Sequence, residues 1–408
     1  MSREERRTGY ADQLLLSSGD QVGTAPEDRA FRPDIEGLRA VAVVLVVLFH
    51  AGVPGVTGGY VGVDIFFVIS GFVITGVLLR ERGRSGHNSI LDFYGRRSRR
   101  IIPAATVVII ATVLASYHWL GFITGGNVAQ DGRAAATFWV NLHFITTGTN
   151  YLGSQLPPSP LQNFWSLSVE EQFYVLYPAL FLSVGALTLR HLSFNSRMSI
   201  ALGLAIASSF WWSVVSTSSN ATGAYFSPFP RAWELALGAI VAINTHYFVK
   251  LPSKLCAIAT WLGLIGIFIS AFGYSPTTMY PGSAVALPVL STGLVIAGGT
   301  SGYLAGAELF LRIPPFQWIG KVSYSLYLWH WPLLIIPMEF AGHPLSLKDN
   351  LGWVGVALVA SMASLLLIEN PIRHAVRLRK SWILSIALGF IFTATSVSVA
   401  TYEITSHP

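Results

Sequence analysis

Apolar stretches of about 18 to 23 residues recur along this chain, each long enough to cross a hydrocarbon core of roughly 30 Å as a helix. Inside lipid a backbone amide finds its partner only within a helix or a closed barrel, and stretches of this length select the helix. Spans are expected near 38–53, 60–79, 101–122, 164–186, 199–215, 231–248, 255–273, 283–299, 317–340, 351–369 and 382–402. Composition agrees, because 52% of the 408 residues are hydrophobic and only 11% charged. Soluble domains carry roughly 25% charged residues. The expected fold class is an all-α polytopic integral membrane protein, a bundle of about 11 transmembrane helices with ten in a core and one after it.

One segment resists this count. Residues 134–147, AAATFWVNLHFITT, are amphipathic and short, and read as a twelfth span or as an interfacial or re-entrant helix. Charge decides between them. If the segment does not cross, the arginine-rich connections at 80–84, 96–100, 190–197 and 373–380 share one side, as the positive-inside bias requires. The N-terminus is then cytosolic and the C-terminus extracytoplasmic. The net charge of +6 and the pI near 9.4 therefore report orientation in the bilayer, and no nucleic-acid partner is expected. Cys256 is the single cysteine, which excludes an internal disulfide or a cysteine metal cluster, and no H-x-x-H spacing occurs; no metal is expected. Residues 1–33 read as a flexible cytosolic tail, 34–373 as the membrane core, and 374–408 as a basic inner loop and final span. The loop GSQLPPSPLQN is irregular by composition and falls on the outer side.

Several costly polar groups interrupt the apolar spans. In the first, Arg39 and His50 stand eleven positions apart. Eleven helical steps return to within about 20° of the starting direction and rise roughly 16 Å, so one helix face carries both. A neutral imidazole accepts a proton from a hydroxyl at physiological pH, as a general base must; the alternative is a structural histidine bonded to a neighbouring helix. Asp64, near the outer end of the second span, shares the depth of His50 across a short turn. It either orients that imidazole or caps a helix at the headgroup boundary. Glu170 in FWSLSVEEQFYVLYP also matches that depth, and Glu171 beside it points about 100° away, so the two are not expected to share a role. At the inner edge, DFYGRRSRRIIP carries Arg96, Arg97, Arg99 and Arg100, whose guanidinium forks suit phosphate oxygens or lipid headgroups. Arg231 and Glu234 lie three apart at the outer edge, either as a local ion pair or as a polar acceptor's contact. Ser323, Tyr327 and His330 follow at helical spacing in GKVSYSLYLWHWP. The residue before Pro371 in ENPIRHAVRLRK is expected to end the tenth span.

Seven motifs in order carry a resemblance: RPDIEGLRAVAVVLVVLFH, GGYVGVDIFFVISGFVIT, YGRRSRRIIP, FWSLSVEEQFYVLYP, RAWELALG, SYSLYLWHWP and ENPIR, covering residues 33–373. Together they resemble the membrane-bound acyltransferase family 3, the O-acetylases of bacterial lipopolysaccharide and other envelope glycans. The resemblance implies an O-acetyltransferase of the inner (plasma) membrane. Its donor is acyl-CoA, most simply acetyl-CoA, and its acceptor is a hydroxyl of an envelope saccharide or glycolipid reached from outside. It implies Arg39 and His50 as an essential pair, Arg97 and Arg100 at the coenzyme-binding edge with Arg96 and Arg99 beside them, and Glu170 as the motif carboxylate. His50, Asp64 and Glu170 are then the expected catalytic group, and Arg231, Glu234, Tyr327 and His330 the expected substrate contacts. Many members continue into an external hydrolase-like domain, so either a stand-alone chain or a truncated one is expected, with a separate external acyl-accepting protein as a further partner. The competing class is a proton-coupled transporter or flippase of an envelope lipid, in which His50, Asp64 and Glu170 form a proton relay; a catalytically silent scaffold is the third.

Overall fold

The structure, a computed structural model, describes residues 32–85, 89–149, 152, 158–187, 191–302 and 305–406. The expected tail up to residue 31, Arg190 and residues 153–157 of the outer loop lie outside them. Each of the eleven expected stretches is helical, and no strand occurs among the described residues. The principal helices are α1 (Pro33–His50), α2 (Gly62–Ser85), α3 (Ile90–Ala136), α4 (Val140–Thr146), α5 (Phe164–Ala186) and α6 (Phe194–Ser219). They continue as α7 (Ala232–Ile243), α8 (Ser253–Gly273), α9 (Ala286–Gly298), α10 (Pro314–Ala341), α11 (Leu347–Ser364) and α12 (Trp382–Ser406).

Six of these, α2, α3, α6, α8, α11 and α12, are long and apolar enough to cross a membrane. Their outward faces are apolar, with Leu204 and Phe390 about 70% exposed, as lipid contact requires. The protein is a multi-pass membrane protein. The remaining large helices, α1, α5 and α10, share the polar residues of the site with α2 and α3. The expected spans at 231–248 and 283–299 hold shorter helices, α7 and α9, of 12 and 13 residues, or roughly 18 to 20 Å. Nine of the twelve residues of α7 are buried, so this helix is filling for the bundle.

Lipid offers no hydrophobic drive between helices, so close packing does the work and small residues mark the contacts. A Cβ on Gly71 of α2 would lie 1.8 Å from the Leu235 carbonyl oxygen of α7, and one on Gly238 of α7 would lie 1.9 Å from the Val68 oxygen. The two backbones touch at both points. This contact fixes the rotation of α2 about its own axis.

Residues 134–147 hold no helix long enough to cross. Gly121, at φ 82°, reverses α3, a conformation that costs glycine alone little. Gly125 then packs on Tyr117 and Gly132 on Val113, so 122–136 runs back along 109–120 as a re-entrant arm. α4 follows with seven residues, too few to span. The tenth expected span also ends differently from its reading: α11 passes into a π-helical turn, Leu365–Glu369, and a helix Asn370–His374 that carries Pro371. The wider turn accommodates a residue without an N–H, so the proline does not stop the chain.

Candidate active site

α1 delivers His50 to α10. Its Nδ1 lies 3.0 Å from Nε2 of His330, with the rings nearly parallel at 11° and 5.2 Å apart. His330 is fully buried and its Nδ1 lies 3.1 Å from the Leu326 carbonyl oxygen. A carbonyl only accepts, so His330 Nδ1 carries a proton and donates it, and its neutral Nε2 is left as an acceptor. His50 must then donate through Nδ1, which places the lone pair of its ring on Nε2. Trp331 meets the His50 ring edge-on at 4.5 Å. The partner of His50 is therefore a second imidazole, not the expected carboxylate.

Asp64 is turned elsewhere. Its carboxylate accepts from Arg231 Nη2 at 2.8 Å and from the Tyr280 hydroxyl, while Arg231 also pairs with Glu234 at 3.1 Å. Asp64, Arg231 and Glu234 have no exposed surface, and the rings of Phe67, Trp165, Tyr225 and Tyr280 surround the guanidinium at 5.5–5.7 Å. Equal depth alone had suggested Asp64 for His50; the α2–α7 contact aims it at α7 instead. Arg231 and Glu234 form the local ion pair that their spacing allowed, sealed inside the bundle and not at an outer acceptor surface.

Glu170 accepts from Ser70 at 2.7 Å and Tyr174 at 2.6 Å, with Arg97 at 3.8 Å; Glu171 takes Arg97 at 2.7 Å. The Arg97 guanidinium lies 3.5 Å above the Tyr174 ring. The two acids thus serve one arginine, contrary to the expectation from their directions, because a long guanidinium reaches both. Glu170 stands with the arginine cluster and not with His50.

The four inner arginines divide. Arg96 pairs with Glu81, and Arg99 donates to the Leu378 carbonyl at 2.7 Å and the Ser385 hydroxyl at 2.6 Å, anchoring α12. Arg100 stands in the field of Arg39, Arg97 and Arg373. A cavity of about 500 Å³ opens beside Arg96, Arg97, Arg99, Arg100, Arg373 and Arg379. Beyond it, a narrower one of about 100 Å³ is lined by Arg39, Arg97 and Arg100, then Ser70, Glu170 and Tyr174, then Ser166, Phe66 and Tyr327. The two share Val73, Arg97 and Arg100 in their walls. Tyr327, in the wall of the narrow one, has its ring centre 5.5 Å from that of His330.

Sequence reasoning missed Ser70, Ser166, Tyr174 and Glu369. Glu369 is buried in the π-helical turn, accepts from Ser325, and lies in the field of Arg100, Arg373 and Arg39. The cost of an intramembrane carboxylate was the signal that could have found it.

Residues 32–369 match the acyltransferase domain family. The peptidoglycan O-acetyltransferase OatA of Listeria monocytogenes is 32% identical over 362 residues, 86% of this chain and 57% of its own length. The O-acetyltransferase OatA of Staphylococcus aureus is 30% identical over 359 residues, 84% of this chain and 57% of its own. The chain spans little more than half the length of these relatives, and no solved structure matches it. With the matched stretch running from the first residues of α1 to the carboxylate of Glu369, and with all seven motifs inside or at its edge, this chain belongs to the acyltransferase domain family.

Proposed function

We propose that this protein is a membrane O-acetyltransferase that takes an acetyl group from acyl-CoA at the arginine-lined mouth and passes it to a hydroxyl of an envelope saccharide. The mouth faces the cytosol of a plasma membrane, and the C-terminus of α12 faces outward. The similarity to a peptidoglycan O-acetyltransferase supports a wall glycan as the acceptor. The observation that carries the reading is a pair of cavities that share Arg97 and Arg100, the narrower of them also lined by Tyr327, whose ring centre lies 5.5 Å from that of His330.

Arg39, Arg97, Arg100 and Arg373 present a concentration of positive charge that fits the phosphates of a coenzyme A. Glu170 and Glu171 hold Arg97 in place, so its fork is preorganised. The pantetheine arm then follows the narrow cavity toward α10. His50 Nε2 takes the proton of the acceptor hydroxyl as its oxygen adds to the thioester carbonyl. The carbon–sulfur bond breaks, and the thiolate takes the proton back from the imidazolium and leaves as coenzyme A. His330 fixes the tautomer of His50 and shares the positive charge through their hydrogen bond. A proton relay through His50, Asp64 and Glu170 is poorly supported, because Arg231 and Arg97 engage those two carboxylates.

The test is incubation of the purified, reconstituted protein with labelled acetyl-CoA and wall glycan. Label is expected on the glycan with release of free coenzyme A. His50→Ala should lower transfer at least 100-fold, at the low end of about 10²–10⁴ for a lost general base, while the protein stays folded. Transfer at wild-type rate by His50→Ala would remove the proposal.

A further inference from the structure

Tyr327 and Ser166 line the narrow cavity, and the Tyr327 ring centre lies 5.5 Å from that of His330. Their hydroxyl oxygens are 2.5 Å apart, and the Tyr327 hydroxyl also lies 3.1 Å from the Asn163 carbonyl oxygen. Asn163 answers with its side-chain amide, which donates to the Tyr327 carbonyl at 2.7 Å. α10 is thereby clasped to the first turn of α5 at two points. Phe66 packs edge-on against the Tyr327 ring at 6.0 Å. The phenol therefore stands between a cavity floored by arginines and the buried imidazole of His330.

We infer that the hydrogen bond between Tyr327 and Ser166 is a latch that closes the donor cavity short of the histidine pair until an acceptor hydroxyl is in place. The inference rests on the acyl-CoA reading above and adds a function to it. A centre that joins a cytosolic donor to an outer acceptor faces a side reaction. Water can add to the same carbonyl, with the proton passing through His50 to the departing thiolate, giving acetate and free coenzyme A and no transfer. A closed phenol denies water that approach. Rotation of Tyr327 away from Ser166 opens the path. Tyr327 and Ser166 are positioning residues in this account, since they decide when the reacting atoms meet.

The experiment measures two rates on reconstituted protein: release of coenzyme A without acceptor, and transfer of label with it. The wild type is expected to release little coenzyme A until acceptor is added. Tyr327→Phe keeps the ring and removes the hydroxyl, and Ser166→Ala removes the other half of the bond. Each should raise acceptor-independent release by about fivefold to tenfold, the weight of one net hydrogen bond, and lower the label transferred per coenzyme A released. Ser166→Thr, which keeps a hydroxyl, should restore the coupling. If the wild type turns over acyl-CoA and both variants keep its ratio of release to transfer, or lose both rates in parallel, the latch is overturned and the transferase reading stands. If the wild type releases no coenzyme A with acceptor present, the transferase reading falls and the latch falls with it.

Discussion

A single buried guanidinium distinguishes a structural charge cluster from a chemical one. Arg231 holds two carboxylates, Asp64 and Glu234, where none of the three has exposed surface. Removing the cation strands two acids in the bundle, and breaking a buried pair in this way costs about 3–5 kcal/mol. Arg231→Ala should therefore lower the unfolding temperature in detergent sharply, whereas His50→Ala should change it little and abolish transfer. Equal stability losses would place both residues in the same class. The pairing of Arg231 with Glu234 was legible in the sequence, because helical spacing alone governs it. The sequence could not say which neighbour Asp64 faces, since the rotation of α2 is set by backbone contact at Gly71 and Gly238. Nor did the His50–His330 bond follow from spacing, with 280 residues between the two rings.

Among the elements, the re-entrant arm and α4 were the least legible. Their path depends on one glycine with positive φ at 121 and on Phe138, at φ 54°, while apolar length saw only a span that ended. A clasp holds the arm to α4: His143 Nε2 lies 3.1 Å from Asp131 Oδ1. The hydrogen bond that His143 donates to Asp131 raises the His143 pKa above 6.5, against a smaller lowering by burial. A raised folded value means that the clasp contributes fully below the unfolded pKa of about 6.5 and is lost as pH rises through the folded value. Amide protection of 131–146, corrected for intrinsic exchange, should fall across that rise. In Asp131→Asn the decline should be absent, and an unchanged decline would show that another group governs the arm.

For the molecule as a whole, apolar length made the helical, membrane-embedded fold class legible, because lipid constrains it without reference to packing. What lay beyond it was the division of labour. Arg99 anchors α12 and Arg96 meets Glu81, while Arg39, Arg97, Arg100 and Arg373 share one field; four arginines in five positions look alike in a sequence. The account depends on a donor held by charge at one end and used by an imidazole at the other. Binding of coenzyme A to the reconstituted protein, measured calorimetrically at two salt concentrations, tests this most directly. Arg100→Ala should bind about tenfold or more weakly, the equivalent of about 1.4 kcal/mol, and with a smaller salt dependence, while His50→Ala binds as the wild type does and transfers nothing. Wild-type affinity in Arg100→Ala and Arg97→Ala, or loss of binding in His50→Ala, would contradict it.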